Sequence, residues 1–236
     1  MRTSVIATFC ALMLAHCPMT WALDLTCSGA PELSATQQQR TLAELQKRYA
    51  AVKSLRASFR QESFVAALDE VERSEGKVWF LTPAKMKWHY KSPNEQVFLL
   101  KEDTVYYYQA EERQLLVEEL RGGMLSELPV SFLLGVGDIE KSFDLFGGCS
   151  TANGLLLGLK PKSGSEPNLQ ELWLLVDDDT FLPEGAKTVD LGGNATSIVF
   201  SQTERDVVIA ESTFAADFPT GIDVQDRRQL REKDVS

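Results

Sequence analysis

The chain has 236 residues, 34 of them acidic against 24 basic, for a formal net charge of −10. That balance argues against nucleic acid and anionic membrane surfaces as partners, and the length suits one sizeable domain. Only two histidines are present, His16 and His89, too few for a multi-histidine metal site.

The first 22 residues read as an export signal: Arg2 supplies positive charge, residues 5–14 form an apolar run, and Thr20-Trp21-Ala22 ends in a small residue where a peptidase can cut. The apolar run is about ten residues long, short of the roughly 20 that a spanning helix needs. Leu14-Ala15-His16-Cys17 is a poor match to a lipid-attachment box, with His16 where a small residue belongs and Pro18 following. Cleavage after Ala22 removes Arg2 and no acidic residue, so the mature charge becomes −11. Cys27 and Cys149 remain, and in an oxidising compartment they could close one long loop, although sequence leaves their separation open.

Ser34 with Gln37 three residues later has the form of a capping box, and Leu42, Leu45, Tyr49 and Val52 recur at helical spacing. An amphipathic helix is expected over 34–53. Beyond it the period drops to two, in short runs rich in Val, Phe, Trp and Tyr, punctuated by Ser92-Pro93-Asn94, Glu102-Asp103 and Gly192-Gly193-Asn194. Residues 124–137 suit a short apolar helix, with Leu125, Leu128, Phe132, Leu133 and Leu134 between Gly122-Gly123 and Gly135. Strands are expected to resume over 155–160, 169–176, 186–190, 197–202 and 212–218, and the charged tail from Asp226 to be disordered. The expected architecture is mainly β: a strongly curved, incomplete antiparallel barrel of about ten or eleven strands covered by the two helices. Residues 23–225 would form its single domain.

Alternation assigns faces. Met86, Trp88 and Tyr90 share the side taken as inward, while Lys85, Lys87 and His89 share the other. Trp79 and Leu81 are expected to add to the inward apolar load. Either Val105 with Tyr107 or Tyr106 with Tyr108 joins them, the register of that strand being open; Tyr106 and Tyr108 are taken as the inward pair.

Four segments in order carry a family resemblance. Gly76-Lys77-Val78-Trp79-Phe80-Leu81-Thr82-Pro83-Ala84-Lys85-Met86-Lys87-Trp88 resembles the characteristic segment of the periplasmic outer-membrane lipoprotein carrier family, LolA. Thr104-Val105-Tyr106-Tyr107-Tyr108 is similar to its aromatic strand, Leu128-Pro129-Val130-Ser131-Phe132-Leu133-Leu134 to its Pro-initiated helix, and the run from Phe214 to Val224 to its closing strand.

The resemblance implies a half-barrel with a helical lid, a carrier rather than an enzyme and without a cofactor. Its cavity would hold the acyl chains of a lipoprotein, received from an inner-membrane release complex and passed to an outer-membrane receptor by a periplasmic monomer. Trp79, Leu81, Met86, Trp88, Tyr90, Tyr106 and Tyr108 would line the cavity; Leu128, Phe132, Leu133 and Leu134 would belong to the lid. Where the family places an arginine that holds the lid, this chain has Thr82, whose single hydroxyl cannot replace five N–H donors. The lid would then be held otherwise, through Lys85, Lys87 or Arg121, or would close loosely.

Catalytic motifs are missing: the sequence has no Gly-x-Ser-x-Gly, Cys-x-x-Cys or His-Glu-x-x-His, and Asp177-Asp178-Asp179 lacks the spaced oxygens of a calcium loop. Two other readings of the same scaffold remain. One is a lipid or glycolipid carrier working with an envelope exporter; the other is a lipid-sensing regulatory module. Lys77, Lys85, Lys87 and Lys91 form a basic strip that reads as a solvated strand face.

Overall fold

A computed structural model describes residues 25–83, 85–120 and 139–228. The signal segment, the expected lid with Leu128, Phe132, Leu133, Leu134 and Arg121, and residues 229–236 lie outside the described residues.

Helix α1, Ala35–Ala51, starts where the capping box places it. The Ser34 hydroxyl accepts from the Gln37 N–H at 3.3 Å, and the Gln37 side-chain oxygen accepts from the Ser34 N–H at 2.9 Å. Such a cap contributes about 1 kcal/mol. Leu42 and Leu45 are buried against the sheet, and the helix stops at Val52, whose extended backbone turns the chain into the first strand.

Among the described residues twelve strands follow: β1 (Ser54–Val65), β2 (Glu70–Leu81), β3 (Lys85–Ser92), β4 (Gln96–Lys101), β5 (Thr104–Gln109), β6 (Gln114–Glu119), β7 (Phe143–Thr151), β8 (Gly154–Pro161), β9 (Leu169–Val176), β10 (Pro183–Asp190), β11 (Ala195–Arg205) and β12 (Asp223–Asp226). A four-residue helix α2, Ile139–Ser142, precedes β7. The strands make one sheet in the order β12-β6-β5-β4-β3-β2-β1-β11-β10-β9-β8-β7, whose edges do not meet. All pairings are antiparallel except β12 with β6. The sheet is therefore an open, curved meander whose two halves are joined through β1 and β11, as the mainly β expectation requires, with twelve strands in place of ten or eleven.

Its inner face carries the largest apolar cluster, running from Leu42 and Leu45 of α1 across Phe59, Val78, Trp88 and Leu100 to Leu157, Leu172 and Ile198. The outer face is covered twice. Residues 207–222 cross β4–β6 and press Phe214 and Phe218 onto Leu99, Tyr108 and Leu115. The segment from Leu25 covers β7–β9, packing with Cys149, Leu156 and Leu175. Cys27 and Cys149 form a disulfide, with Cα atoms 5.7 Å apart.

Two C-terminal expectations are corrected. Residues 212–218 are not a strand: Glu211–Phe214 form a 3₁₀ turn and the chain then runs across the outer face. Phe214 and Phe218 thereby bury on the outer-face cluster by crossing over the strands rather than by pairing with one of them. The final strand comes later, and the expected disordered tail does not begin at Asp226, which pairs with Val117 as the Arg227 N–H donates to the Val117 carbonyl at 2.9 Å.

Candidate functional site

Connection lengths decide which side chains enter the inner face. Leu81 pairs with Lys85 across three intervening residues, so odd positions of β2 share a face with odd positions of β3. Trp79 therefore stands opposite Lys87, and Val78 and Phe80 stand opposite Trp88 and Met86. Lys101 pairs with Thr104 across only two residues, which inverts the parity: Phe98 and Leu100 lie opposite Tyr107 and Val105.

Met86, Trp88 and Tyr90 accordingly face inward. Trp79, Leu81, Tyr106 and Tyr108 do not, and the expectation for them is corrected. They pack on the outer face beneath the C-terminal crossing, with Phe218 at 6.1 Å from the Tyr106 ring and 5.5 Å from the Tyr108 ring. Their inward counterparts are Val78, Phe80, Val105 and Tyr107.

Aromatic rings run along the inner face. Phe200 meets Trp88 edge-on at 6.0 Å; Phe59 lies 4.7 Å from Trp88 and 4.9 Å from Tyr90; Phe98 stacks on Tyr107 at 4.1 Å. Phe59 belongs to β1 and Trp88 to β3, so the contact must bridge β2. It does so over Gly76, where an added Cβ would lie 2.8 Å from the Phe59 ring and 2.0 Å from the His89 carbonyl oxygen. The missing side chain is what lets the ring lie across the strand.

Beside this row opens a pocket lined by Tyr49 of α1, Leu55 and Ala57 of β1, Val78 and Phe80 of β2, Met86 and Trp88 of β3, and Pro183, Phe200 and Thr203 of β10 and β11. Its empty space is about 410 Å³, a figure that includes the part open to solvent, so the enclosed room is smaller still. A long apolar chain could enter only if α1 or the side chains of the wall gave way.

Toward the β1–β2 tip the same face turns polar. The Tyr90 hydroxyl donates to Gln61 Oε1 at 3.0 Å, Gln61 Nε2 donates to Ser63 Oγ at 3.1 Å, and the Thr196 hydroxyl donates to Ser63 Oγ at 3.3 Å. Burial pushes the phenols of Tyr49, Tyr90 and Tyr107 upward, so all three are neutral around pH 7. Burial likewise raises Glu184 on β10.

Thr82 sits in the β2–β3 turn, where both its N–H (2.9 Å) and its hydroxyl (3.1 Å) donate to the Lys53 carbonyl. Its one side-chain donor thus joins the backbone N–H in tying the turn to the α1–β1 connection. Lys85 is paired with Glu211 at 2.5 Å on the outer face, and His89 contacts Glu95 at 2.9 Å. Among the described residues no cluster of three or more His, Cys, Asp or Glu could hold a metal ion, and no helix is long and apolar enough to cross a membrane.

Residue-level reasoning missed Phe59, Phe98, Phe200 and Thr203. Gly76 signalled Phe59, since a glycine inside a strand marks close approach by a neighbour. Phe98 and Tyr107 follow from the two-residue turn at Glu102-Asp103 once its parity is counted.

The family described as outer membrane lipoprotein carrier protein LolA matches residues 50–217. The outer-membrane lipoprotein carrier protein of Cupriavidus pinatubonensis is 26% identical over 230 residues, 95% of this chain and 99% of that protein. Its counterpart from Methylobacillus flagellatus is 28% identical over 176 residues, 75% and 84% of the two chains. Among solved structures, an uncharacterized conserved protein from Thermus thermophilus superposes with a TM-score of 0.52 at 14% identity, over 80% of this chain and 98% of that one, a likeness of fold.

Proposed function

Because the chain belongs to the outer-membrane lipoprotein carrier family, LolA, we propose that it is a periplasmic carrier that shelters the acyl chains of a lipoprotein against the inner face of its sheet. The observation that carries the reading is the apolar pocket walled by Val78, Phe80, Met86, Trp88 and Phe200, set in the inner face beside its buried apolar cluster. Hiding one acyl chain of about 14 methylenes, at roughly 0.8 kcal/mol each, is worth on the order of 11 kcal/mol before entropy and cavity opening are counted.

Release needs part of that gain withheld. The limited empty space supplies a means: the wall must open to load, and the cost of opening lowers net affinity. The cargo would arrive from an inner-membrane release complex and leave to an outer-membrane receptor, with the carrier acting as a monomer and binding rather than transforming its ligand. Residues 23–225 act as the single carrier domain after removal of residues 1–22. Thr82, already engaged with Lys53, supports a different lid attachment from that of arginine-bearing relatives.

Native mass spectrometry of the exported protein purified without detergent tests the reading. A triacylated lipoprotein bound one to one is the expected result. Free fatty acid or glycolipid would replace it with a lipid-delivery role alongside an exporter. An empty protein that rejects added acylated peptide would refute carriage altogether.

A further inference from the structure

β11 holds one more residue than β1 between the pairs Arg56 with Glu204 and Ser58 with Ser201. The surplus is absorbed at Gln202, whose φ is +52°, a left-handed conformation that costs a residue bearing a side chain. Gln202 turns outward, its Oε1 accepting from the Ser58 hydroxyl at 3.1 Å. Val199 and Ser201 pair with Arg60 and Ser58 of the outer face, so simple alternation would send residue 203 outward as well. The bulge resets the alternation, and Thr203 becomes part of the pocket wall with Ala57. Bulges commonly re-aim side chains in this way beside functional sites.

The hydroxyl delivered there is buried and has no hydrogen-bond partner. The hydroxyls of Thr82 and Thr196 each have one. Trp88 lines the same pocket, but its indole N–H has the Tyr90 phenol oxygen as its neighbour, so the donor left free in the wall is the Thr203 hydroxyl. A buried unpaired donor destabilises a fold, and valine would fill the space of Thr203 without that cost. A strained bulge that brings an orphaned hydroxyl into an apolar pocket therefore calls for a ligand atom.

A single unpaired hydroxyl in an otherwise apolar wall can donate to a ligand carbonyl oxygen. On the carrier reading, an acylated ligand offers that atom only at the heads of its chains, in ester or amide groups. We propose that the Thr203 hydroxyl is a carbonyl-binding subsite that holds the ester head of an acyl chain and fixes how far the chain enters the pocket. The inference rests on the proposed carrier function and adds a specificity that apolar burial alone cannot supply, since a hydrocarbon wall does not distinguish an ester from an ether.

The test compares two synthetic triacylated lipopeptides that differ only in ester-linked against ether-linked chains on the glyceryl group. Binding to the disulfide-intact mature protein is measured by displacement of a fluorescent fatty acid. Wild type should prefer the ester form by about tenfold, the scale of one hydrogen bond whose loss leaves a donor buried. Thr203→Val should erase the preference while melting at a higher temperature than wild type; Thr203→Ser should keep it. Equal binding of both ligands by wild type, or an undiminished preference in Thr203→Val, would overturn the subsite and leave the carrier reading standing. Binding of neither ligand by wild type would overturn both.

Discussion

Replacing Cys27 and Cys149 together by alanine should cost about 3–5 kcal/mol of stability. The bond closes a loop spanning a sequence separation of 122. In the chain-entropy account a loop of that length removes about 16 cal/mol/K from the unfolded ensemble, close to 5 kcal/mol at 25 °C. The folded state is less exposed to the loss. The N-terminal cover keeps two backbone bonds to β7, from the Leu33 N–H to the Gly148 carbonyl and from the Ser150 N–H to the Pro31 carbonyl, both 2.9 Å. Leu25 also keeps its apolar partners Leu156 and Leu175. The penalty should therefore appear in global unfolding rather than as a locally melted segment. Guanidinium titrations of the two proteins, followed by far-UV circular dichroism, measure it directly, and the midpoint temperature should drop by on the order of 10 °C. A change below about 1 kcal/mol at equal slope would refute the reasoning. So would release of the N-terminal segment, seen as selective proteolysis, with no global change.

Three other outcomes follow from the packing and the charges. Gly76→Ala would place a Cβ 2.0 Å from a backbone oxygen that cannot move cheaply, and thermal denaturation should show a loss of about 3 kcal/mol or more; a wild-type melting point would contradict the bridging of Phe59 over β2. Phe214→Ala, at a side chain 1% exposed in the outer cluster, should cost about 3–5 kcal/mol yet leave acyl binding unchanged at temperatures where the variant is folded, because that cluster stands behind the sheet. Hydrogen bonds from Thr180 to Asp177 and from Asn194 to Asp190 hold both carboxyls below their ordinary range. Their stabilising contribution is complete above about pH 4 and is lost as the pH falls through the lower folded values, so Asp177→Asn with Asp190→Asn should flatten the acid limb of a stability-against-pH curve.

The parts of the fold written in local chemistry were legible. Ser34 and Gln37 announced α1, and the apolar runs at 155–160 and 169–176 announced β8 and β9, because capping and burial leave their marks on neighbouring residues. Met86, Trp88 and Tyr90 were assigned the correct face by alternation within one strand. Trp79, Leu81, Tyr106 and Tyr108 were not, because the face of a strand relative to its neighbour depends on whether two or three residues join them. An aromatic residue fits either face when both are covered, as they are here. Phe214 and Phe218 looked like strand residues for a related reason: their burial comes from crossing the sheet rather than joining it. Thr203 was the least accessible, since a single left-handed residue at Gln202 overturns alternation and leaves no mark in composition.

The central claim is that acyl chains occupy the inner face and not the outer one, and three tryptophans report on it. Trp88 lines the inner pocket, Trp79 packs in the C-terminal outer cluster and Trp173 in the N-terminal one. Variants of the mature protein retaining one tryptophan each, the others changed to phenylalanine, would be titrated with a lipopeptide whose acyl chains carry bromine, a quencher that acts near contact. The account predicts saturable quenching of Trp88 with little change at Trp79 or Trp173. Quenching of Trp79 or Trp173 with Trp88 unaffected would place the ligand outside the sheet and contradict it.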